Sequence, residues 1–278
     1  MIALLHTEMI KAARRTRTYV IALGLIALPA VIVLALNARG DRGPGRDRGE
    51  GLFRLAQQSG LLVPAAVLSI MSGFLLVVIA GMFAGDSIAG DAGWGNLRYL
   101  LMRPVPRGRL VVAKATVAAT LIWASTLLVA LAALVGGIIV FGTNSVTVPA
   151  AIGTGVIGFH LSASALMLRL LLAAGYVAFG FTALLALGTF FSTLTDTAAG
   201  AIGATVGVYI VSEILDGITQ IGQIRYAVPP HYQAAWETMF TQNQFSSEML
   251  VGAVVQIAYL IMFGAAAIIW FRHKDLRS

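Results

Sequence analysis

Six apolar runs, each about as long as a lipid bilayer is thick, constrain this chain more than any other feature. A bilayer core of ~30 Å needs roughly 20 apolar residues in a helix. Because backbone groups in lipid must be hydrogen-bonded internally, and because these runs are continuous rather than alternating, we predict transmembrane helices instead of β-strands. The predicted spans are about Thr18–Leu36, Leu61–Ala84, Leu110–Phe141, Leu168–Phe191, Ala198–Leu215 and Met249–Phe271.

The composition supports an integral membrane protein. Of the 278 residues, 58% are hydrophobic and 11% are charged. Ordinary soluble domains carry roughly 25% charged residues. We therefore predict an all-α integral membrane protein with one transmembrane domain over residues 1–278. The sequence contains no cysteine, which excludes disulfides, thiolate metal sites and a cysteine nucleophile.

The distribution of Lys and Arg predicts the orientation of the spans. Six spans place both termini on one side, and the segments on that side hold twelve of the 19 basic residues. Because basic segments stay in the cytoplasm, we expect both termini to be cytoplasmic in a cell membrane. The first outer loop opposes this bias with five arginines over residues 39–54; it is either a solvated linker or a contact for substrate or a partner. The net charge is +7, and the basic residues that produce it lie beside the spans. We therefore expect them to contact anionic lipid rather than nucleic acid.

Two segments outside the spans have recognisable patterns. Residues 1–17 are basic and amphipathic, which predicts a helix in the membrane interface whose Lys11, Arg14 and Arg15 reach the head groups. Residues 216–248, before the last span, contain prolines and aromatic side chains, and we expect short helices on the outer face there.

A charged insertion at residues 85–110 separates the second and third spans and cannot lie in hydrocarbon. It contains Asp86 and Asp91, a Gly-rich bend, and about two predicted helical turns over Asn96–Arg103. Pro104 ends these turns, because proline disfavours the helical region for the residue before it.

The predicted short helix in this insertion is amphipathic. Leu97, Leu100 and Leu101 fall on one face, and Arg98 and Arg103 fall elsewhere. Such a segment is typical of a docking element that a membrane domain presents to a soluble partner. The residues alone are equally compatible with a solvated loop that satisfies the positive-inside rule.

The sequence has no evident nucleotide, metal or catalytic site. Gly108–Ala115 lacks the second glycine and the Ser or Thr of a P-loop, and Gly153–Gly158 is not surrounded by a βαβ unit. The four histidines lie in separate segments, and no serine has an evident intramembrane base. We therefore expect no enzymatic activity and no cofactor in this chain, so that any ATP would be bound by a partner.

Three side chains within the spans are candidates for a cavity or gate. Glu213 lies about one turn from the outer end of the fifth span, and ionisable groups in spans are costly and frequently functional. An interfacial carboxylate is the alternative. Tyr176 and Phe179 on the fourth span either line a hydrophobic path or contact lipid.

Glycine pairs predict close helix contacts. Gly81 and Gly85 are four residues apart, as are Gly203 and Gly207, and this spacing lets helices approach closely. Packing within one subunit is the expected use, and a dimer face is the alternative.

The region Asp91–Lys114 resembles the central motif of the permease subunits of type-2 ATP-binding-cassette (ABC) exporters. That family carries an acid, three residues, Gly-Thr-Leu, a Leu-Leu pair, Pro-x-x-Arg, and a Lys that opens the third span. The corresponding positions here are Asp91, Gly95-Asn96-Leu97, Leu100-Leu101, Pro104-Val105-Pro106-Arg107 and Lys114. Asn replaces the family's Thr, and Asp replaces its more frequent Glu. The basic first helix, the six spans and the chain's end extend the resemblance over nearly the whole chain.

This resemblance implies a half-transporter made of two permeases, identical or homologous, and two separate ATPase subunits that bind ATP and magnesium. It implies that Asp91–Arg109 is a cytoplasmic coupling helix through which ATP hydrolysis moves substrate outward. The docking residues that it implies are Asp91, Leu97, Arg98, Leu100, Leu101, Arg103, Pro104 and Arg107.

Two other classes of function remain as alternatives. A membrane scaffold or sensor would bind an ATPase without transporting. An ion-coupled secondary transporter is the second, but the chain lacks central ionisable residues and an evident inverted repeat.

Overall fold

The elements of the fold are almost all helical. The structure, a computed structural model, describes residues 2–38, 50–93, 106–148, 158–243 and 245–274. Its α-helices are α1 (Ile2–Ala13), α2 (Thr16–Ala38), α3 (Glu50–Gln58), α4 (Val63–Gly73), α5 (Leu75–Gly93), α6 (Arg107–Phe141), α7 (Ala163–Gly180), α8 (Thr182–Leu194), α9 (Ala198–Gly217), α10 (Thr238–Thr241) and α11 (Ser247–His273). Before α10 lie 3₁₀ helices at Thr219–Ala227, Pro229–Tyr232 and Ala235–Glu237. Strands β1 (Val146–Val148) and β2 (Phe159–Leu161) pair antiparallel, with Val146 opposite Leu161.

Six helical stretches of the described chain are long and apolar enough to cross a membrane, which confirms the predicted number. They are α2, α5, α6, α7 together with α8, α9, and α11. The prediction of one uninterrupted second span over Leu61–Ala84 is wrong. A short apolar helix, α4, is followed by a break at Phe74, and α5 then forms the span.

The interruptions in the second and fourth spans have local causes. Ser72-Gly73 precedes the first break, and Gly/Ser pairs are frequent sites of helix kinks. The second break, at Phe181, follows Gly180. A Cβ on Gly180 would contact the amide end of the Gln233 side chain, from the segment before the last span, so a larger residue here would displace that side chain.

The second span is longer at its C-terminal end than the sequence indicates. Helix α5 continues to Gly93, past the predicted end at Ala84, so Asp86 and Asp91 lie on the helix and not in a loop after it. Both carboxylates are buried. The expectation that the charged insertion begins at Gly85 is therefore corrected: its first residues belong to the span.

Helix α8 packs against α5, α9 and α11 in the middle of the bundle. Helix α5 approaches α9 closely through its glycines: a Cβ on Gly85 would lie 2.8 Å from Ile202 N, and one on Gly81 would lie 2.7 Å from a methyl group of Val206. This contact confirms the predicted packing of the first glycine pair within the subunit. A Cβ on Gly203 or Gly207 would have no heavy atom of the described chain within 4 Å, so the second pair is not used in that way.

The segment between the fifth and sixth spans folds against α4, α7 and α11. Trp236 is fully buried, and its ring meets that of Phe240 edge-on at 85°. Ser69 Oγ of α4 donates a hydrogen bond of 2.6 Å to Glu237 Oε1. Arg169 of α7 donates to the carbonyl oxygen of Met239. These contacts close the end of the bundle that carries the β1–β2 hairpin.

We call the opposite end the terminal end. It comprises α1, the first turns of α6, and the C-terminal turns of α5, α8 and α11. The two termini lie there together because Lys11 of α1 contacts the end of α5, while Lys274, after α11, contacts Thr193 at the end of α8.

Candidate functional site

A buried carboxylate joins three helices at the terminal end. Asp91 lies in the last turn of α5, and its side chain is 2% exposed. Its Oδ1 accepts a hydrogen bond of 2.7 Å from Lys11 Nζ of α1, and its Oδ2 accepts one from Lys114 Nζ of α6. Helix α1, the second span and the third span therefore meet on one side chain.

Lys114 is shared between two carboxylates. Besides its bond to Asp91, it donates a hydrogen bond of 2.9 Å to Glu8 Oε2 of α1. The Lys114 side chain is 4% exposed. A buried ammonium group is tolerated only when it is paired, so the position of α1 against α6 depends on these two acids.

A second pair of contacts lies one to two turns earlier on α5. Asp86 Oδ2 accepts hydrogen bonds from Arg15 and Arg17, at the junction of α1 and α2. Arg15 also lies 3.6 Å from Asp91 Oδ1, so it links the two acids. We call the whole set the ionic cluster; its members are Glu8, Lys11, Arg15, Arg17, Asp86, Asp91 and Lys114.

The cluster is tertiary in origin and does not reflect local helix preferences. A carboxylate in the last turn of a helix is disfavoured by the helix dipole, and Asp91 occupies such a position in α5. The lysines of α1 and α6 offset this effect. With three acids and four bases the cluster has a net charge of +1, so the acids are fully neutralised.

Helix α5 is also held by α8 next to the cluster. Ser192 Oγ accepts hydrogen bonds from the backbone N–H groups of Ile88 (2.9 Å) and Ala89 (2.8 Å). Ser192 is fully buried. The last turns of α5 are thus fixed on one side by α8 and on the other by α1 and α6.

The start of α6 is anchored separately. Arg107 Nη1 donates to the carbonyl oxygens of Arg272 (3.3 Å) and Lys274 (3.0 Å) at the end of α11. Lys274 Nζ in turn donates to Asp196 Oδ1 at 2.7 Å. Asp196 precedes Thr197, the N-cap of α9, and pairs across the bundle with the residue that follows α11.

Both ends of the connection between α5 and α6 are therefore bonded to several other helices. Its intervening residues, 94–105, lie outside the described chain. An arrangement of this kind can pass a displacement of the connection to the spans as a rigid body.

Comparison with known proteins decides the family. The family described as ABC-2 family transporter protein matches residues 2–276, nearly the whole chain. The chain belongs to the ABC-2 transporter family. No curated protein shows a significant match to it. Together with the six apolar spans, this membership identifies a multi-pass membrane permease of an ABC transporter.

The docking residues implied for this ABC-2 permease divide into two groups. Asp91 and Arg107 are described, and both bond within the chain, on either side of the connection. The others lie outside the described residues; they are Leu97, Arg98, Leu100, Leu101, Arg103 and Pro104.

The three candidates for a cavity or gate lie apart from the ionic cluster. Glu213 of the permease is exposed on α9 and forms no ion pair or hydrogen bond with the described residues. Tyr176 donates its hydroxyl hydrogen to the carbonyl oxygen of Tyr232 at 2.9 Å, which fastens α7 to the segment before the last span. Phe179 is half-buried on the same helix.

Sequence reasoning missed the partners of the basic first helix. We expected Lys11 and Arg15 to reach lipid head groups, and the structure corrects this, because both pair with the acids of α5. Arg14 alone of the three basic residues is exposed without an ion pair in the described chain. The available signal was the pair Asp86 and Asp91 on an otherwise apolar helix, since such acids need cations. Among the described residues, no three His, Asp or Glu side chains are grouped to hold a metal ion.

Proposed function

We propose that this ABC-2 permease is the membrane subunit of an ABC exporter and that separate ATPase subunits drive it. The permease has no catalytic role in this scheme; ATP and magnesium bind in the ATPase subunits. Two permeases, two copies of this chain or this chain and a homologue, form the translocation path. Substrate enters from the cytoplasm or the inner leaflet and leaves outward.

The observation that carries the proposal is the double anchoring of residues 94–105. On one side, Asp91 bonds to α1 and α6; on the other, Arg107 bonds to the end of α11. A coupling segment must move several spans together when its partner moves, since a displacement that only bends a loop transmits no work. Connections to α1, α5, α6 and α11 meet this requirement.

The same contacts suggest how the roles of the motif divide. We assign the contact with the ATPase to residues that project from the connection, with Leu97, Leu100 and Leu101 as apolar anchors. Arg98, Arg103 and Arg107 supply positive charge, as arginine frequently does at interfaces. The sequence predicts that Pro104 ends the short helix of the motif.

Asp91 takes a different role in this scheme. Its carboxylate is buried and bonded to two lysines, so in this scheme it serves coupling, by holding the end of α5 to α1 and α6, and does not itself contact the ATPase. The orientation follows from the basic residues: the terminal end carries most of them and faces the cytoplasm.

The α9 surface is our proposed contact with the second permease. Gly203 and Gly207 have open space beside them, and helices of two subunits can approach closely at such a pair. Glu213 lies on this helix and has no partner in the described chain, so we place it at the path between the permeases.

Affinity purification of the tagged chain in mild detergent, followed by mass spectrometry, tests the proposal. We expect a stoichiometric soluble ATPase with a Walker motif. The variant Leu100→Asp/Leu101→Asp should lose it while the helical content stays unchanged. Thr219→Asp/Gln220→Asp is the matched control, because it adds the same charges on an exposed 3₁₀ helix at the other end.

Each contrary result has a defined meaning. Normal recovery of the ATPase with normal turnover in the leucine variant would refute docking through this face. Recovery of no ATPase, also after crosslinking, would favour an ion-coupled secondary transporter. Stimulated ATP hydrolysis without substrate movement would favour the scaffold or sensor.

A further inference from the structure

A large apolar groove lies on the outside of the bundle, between α6, the α7–α8 span and α11. Its volume is about 580 Å³, within the range of roughly 300–1,000 Å³ that small organic ligands occupy. The residues that line it include Val112, Trp123, Phe181, Leu260 and Ile268. Its size and lining suit a flexible hydrocarbon.

The three hydroxyl groups that line the groove are all engaged as hydrogen-bond donors within their own helical segment. The hydroxyl groups of Thr116 and Thr189, which line it, each donate a hydrogen bond of 2.8 Å to a backbone oxygen of their own helix. The hydroxyl group of Thr182 donates to the carbonyl oxygen of Phe179. Among the described lining side chains, this leaves the indole N–H of Trp123 as a donor for a polar occupant, whereas an acyl chain needs no hydrogen-bond partner.

The distance along α11 from the far end of the groove to Arg272 is close to the thickness of one leaflet of a bilayer. On α11 it extends from Leu260 to Ile268, and Arg272 follows one turn later on the same helical face as Ile261 and Ala265. At ~1.5 Å per residue, Leu260 to Arg272 is about 18 Å. Half of a ~30 Å hydrocarbon core is about 15 Å. Trp270, 52% exposed, marks the interface at the level where the groove ends.

Two arginines, Arg109 and Arg272, lie at that end of the groove. The guanidinium group of Arg272 lies over Gly108: a Cβ there would come within 3.1 Å of its Nε and Nη2. Arg109 precedes the groove residue Val112 by one turn of α6 and is exposed. Neither arginine forms an ion pair with a described carboxylate, in contrast to the bases of the ionic cluster.

We propose that this groove binds one phospholipid with an anionic head group. One acyl chain fills the groove, and Arg272 and Arg109 hold the phosphate and the additional negative charge. Because both arginines are exposed and neither pairs with a described carboxylate, an anionic head group complements the charge at this end of the groove. Arg107 bonds to the carbonyl oxygen of Arg272, which links the lipid to the start of α6.

Native mass spectrometry of the full chain, released from liposomes of equal phosphatidylglycerol and phosphatidylcholine, tests this site. We expect about one phosphatidylglycerol retained per chain. Arg109→Gln/Arg272→Gln should lose the preference for it, by about fivefold for each arginine. Arg14→Gln, which removes an exposed unpaired cation at the same end, is the control.

A second variant fills the groove itself. Gly264 lines it, and a Cβ there meets no atom within 4 Å, so Gly264→Leu should fold and expel the bound lipid of either kind. Gly24→Leu, at an equally open position on α2, should retain it. The proposal would be overturned if Gly264→Leu and Arg109→Gln/Arg272→Gln both retained lipid as the wild type does.

Two measurements do not depend on the folding of those variants. Brominated phosphatidylglycerol should quench the fluorescence of Trp123 more than brominated phosphatidylcholine does, taken as the difference between wild type and Trp123→Phe. Equal quenching would contradict a preference for the anionic lipid. Since the chain has no cysteine, Ile261→Cys introduces a single thiol into the groove. Disulfide-linked dimers of this variant in membranes would show that a second copy of the chain occupies the groove instead of lipid, and would contradict the proposal.

Discussion

The ammonium group of Lys114 and the carboxylate of Asp91 form an ion pair in which both side chains are almost completely buried, at 4% and 2% exposure. The pair joins the end of the second span to the start of the third, on either side of the connection that we propose as the ATPase dock. Isolated charges at such positions are very costly, so each residue requires the other.

Removing one member of this pair should be strongly destabilising. Lys114→Met leaves Asp91 and Glu8 buried with less compensation, and we expect a loss of about 3–5 kcal/mol in the free energy of unfolding. Lys274→Met is the control, because its partner Asp196 is 75% exposed and such pairs contribute about 1 kcal/mol or less. Thermal unfolding in detergent measures both, and equal shifts would contradict the structural role of the cluster.

Asp91→Asn separates docking from coupling. It weakens the bonds to Lys11 and Lys114 and should lower stability, but it leaves the sequence of residues 94–105 unchanged, so the amount of ATPase recovered per folded permease should stay normal. Transport per ATP hydrolysed should fall by roughly fivefold or more, the size of typical coupling free energies between sites. Asp196→Asn is the control. If Asp91→Asn abolishes ATPase binding, the residue contacts the partner directly.

Burial raises the pKa of Glu237 above its ordinary value of 4.5, and the hydrogen bond from Ser69 partly opposes this shift. A group with a raised folded-state pKa contributes stability below its unfolded pKa and loses that contribution as the pH rises through the folded pKa. Glu237→Gln should therefore stabilise the protein at neutral pH and have little effect below pH 4.5.

The unfolding temperature, measured across this pH range, checks the prediction. Glu248→Gln, at an exposed position in the first turn of α11, should change stability little at either end of the range. A stabilisation by Glu237→Gln that is the same at all pH values would show that folding does not raise the pKa of Glu237.

Glu213→Gln tests the proposed path between the permeases. The side chain is exposed on α9 without a partner in the described chain, so its loss should not affect folding or ATPase recovery. If it faces the path, the rate or selectivity of transport changes. Unchanged transport by an intact complex would show that Glu213 does not face the path and is an interfacial carboxylate.

The sequence predicted the number of spans because hydrocarbon requires long continuous apolar runs. It did not predict the break at Phe181, because an isolated glycine such as Gly180 is tolerated within a helical pattern and does not by itself mark a break. It also assigned Asp86 and Asp91 to a loop, because their partners Arg15 and Lys11 lie 71 and 80 residues away. Local patterns carry no information about such pairs.

The central claim, that residues 94–105 dock an ATPase, is tested most directly by crosslinking in native membranes. A photo-crosslinking amino acid replaces Leu100, with the same substitution at exposed Thr219 as control, and mass spectrometry identifies the product. We predict that Leu100 crosslinks to a soluble subunit with a Walker motif and that Thr219 does not. Crosslinks from Leu100 only to lipid, or to the same proteins as Thr219, would contradict the account.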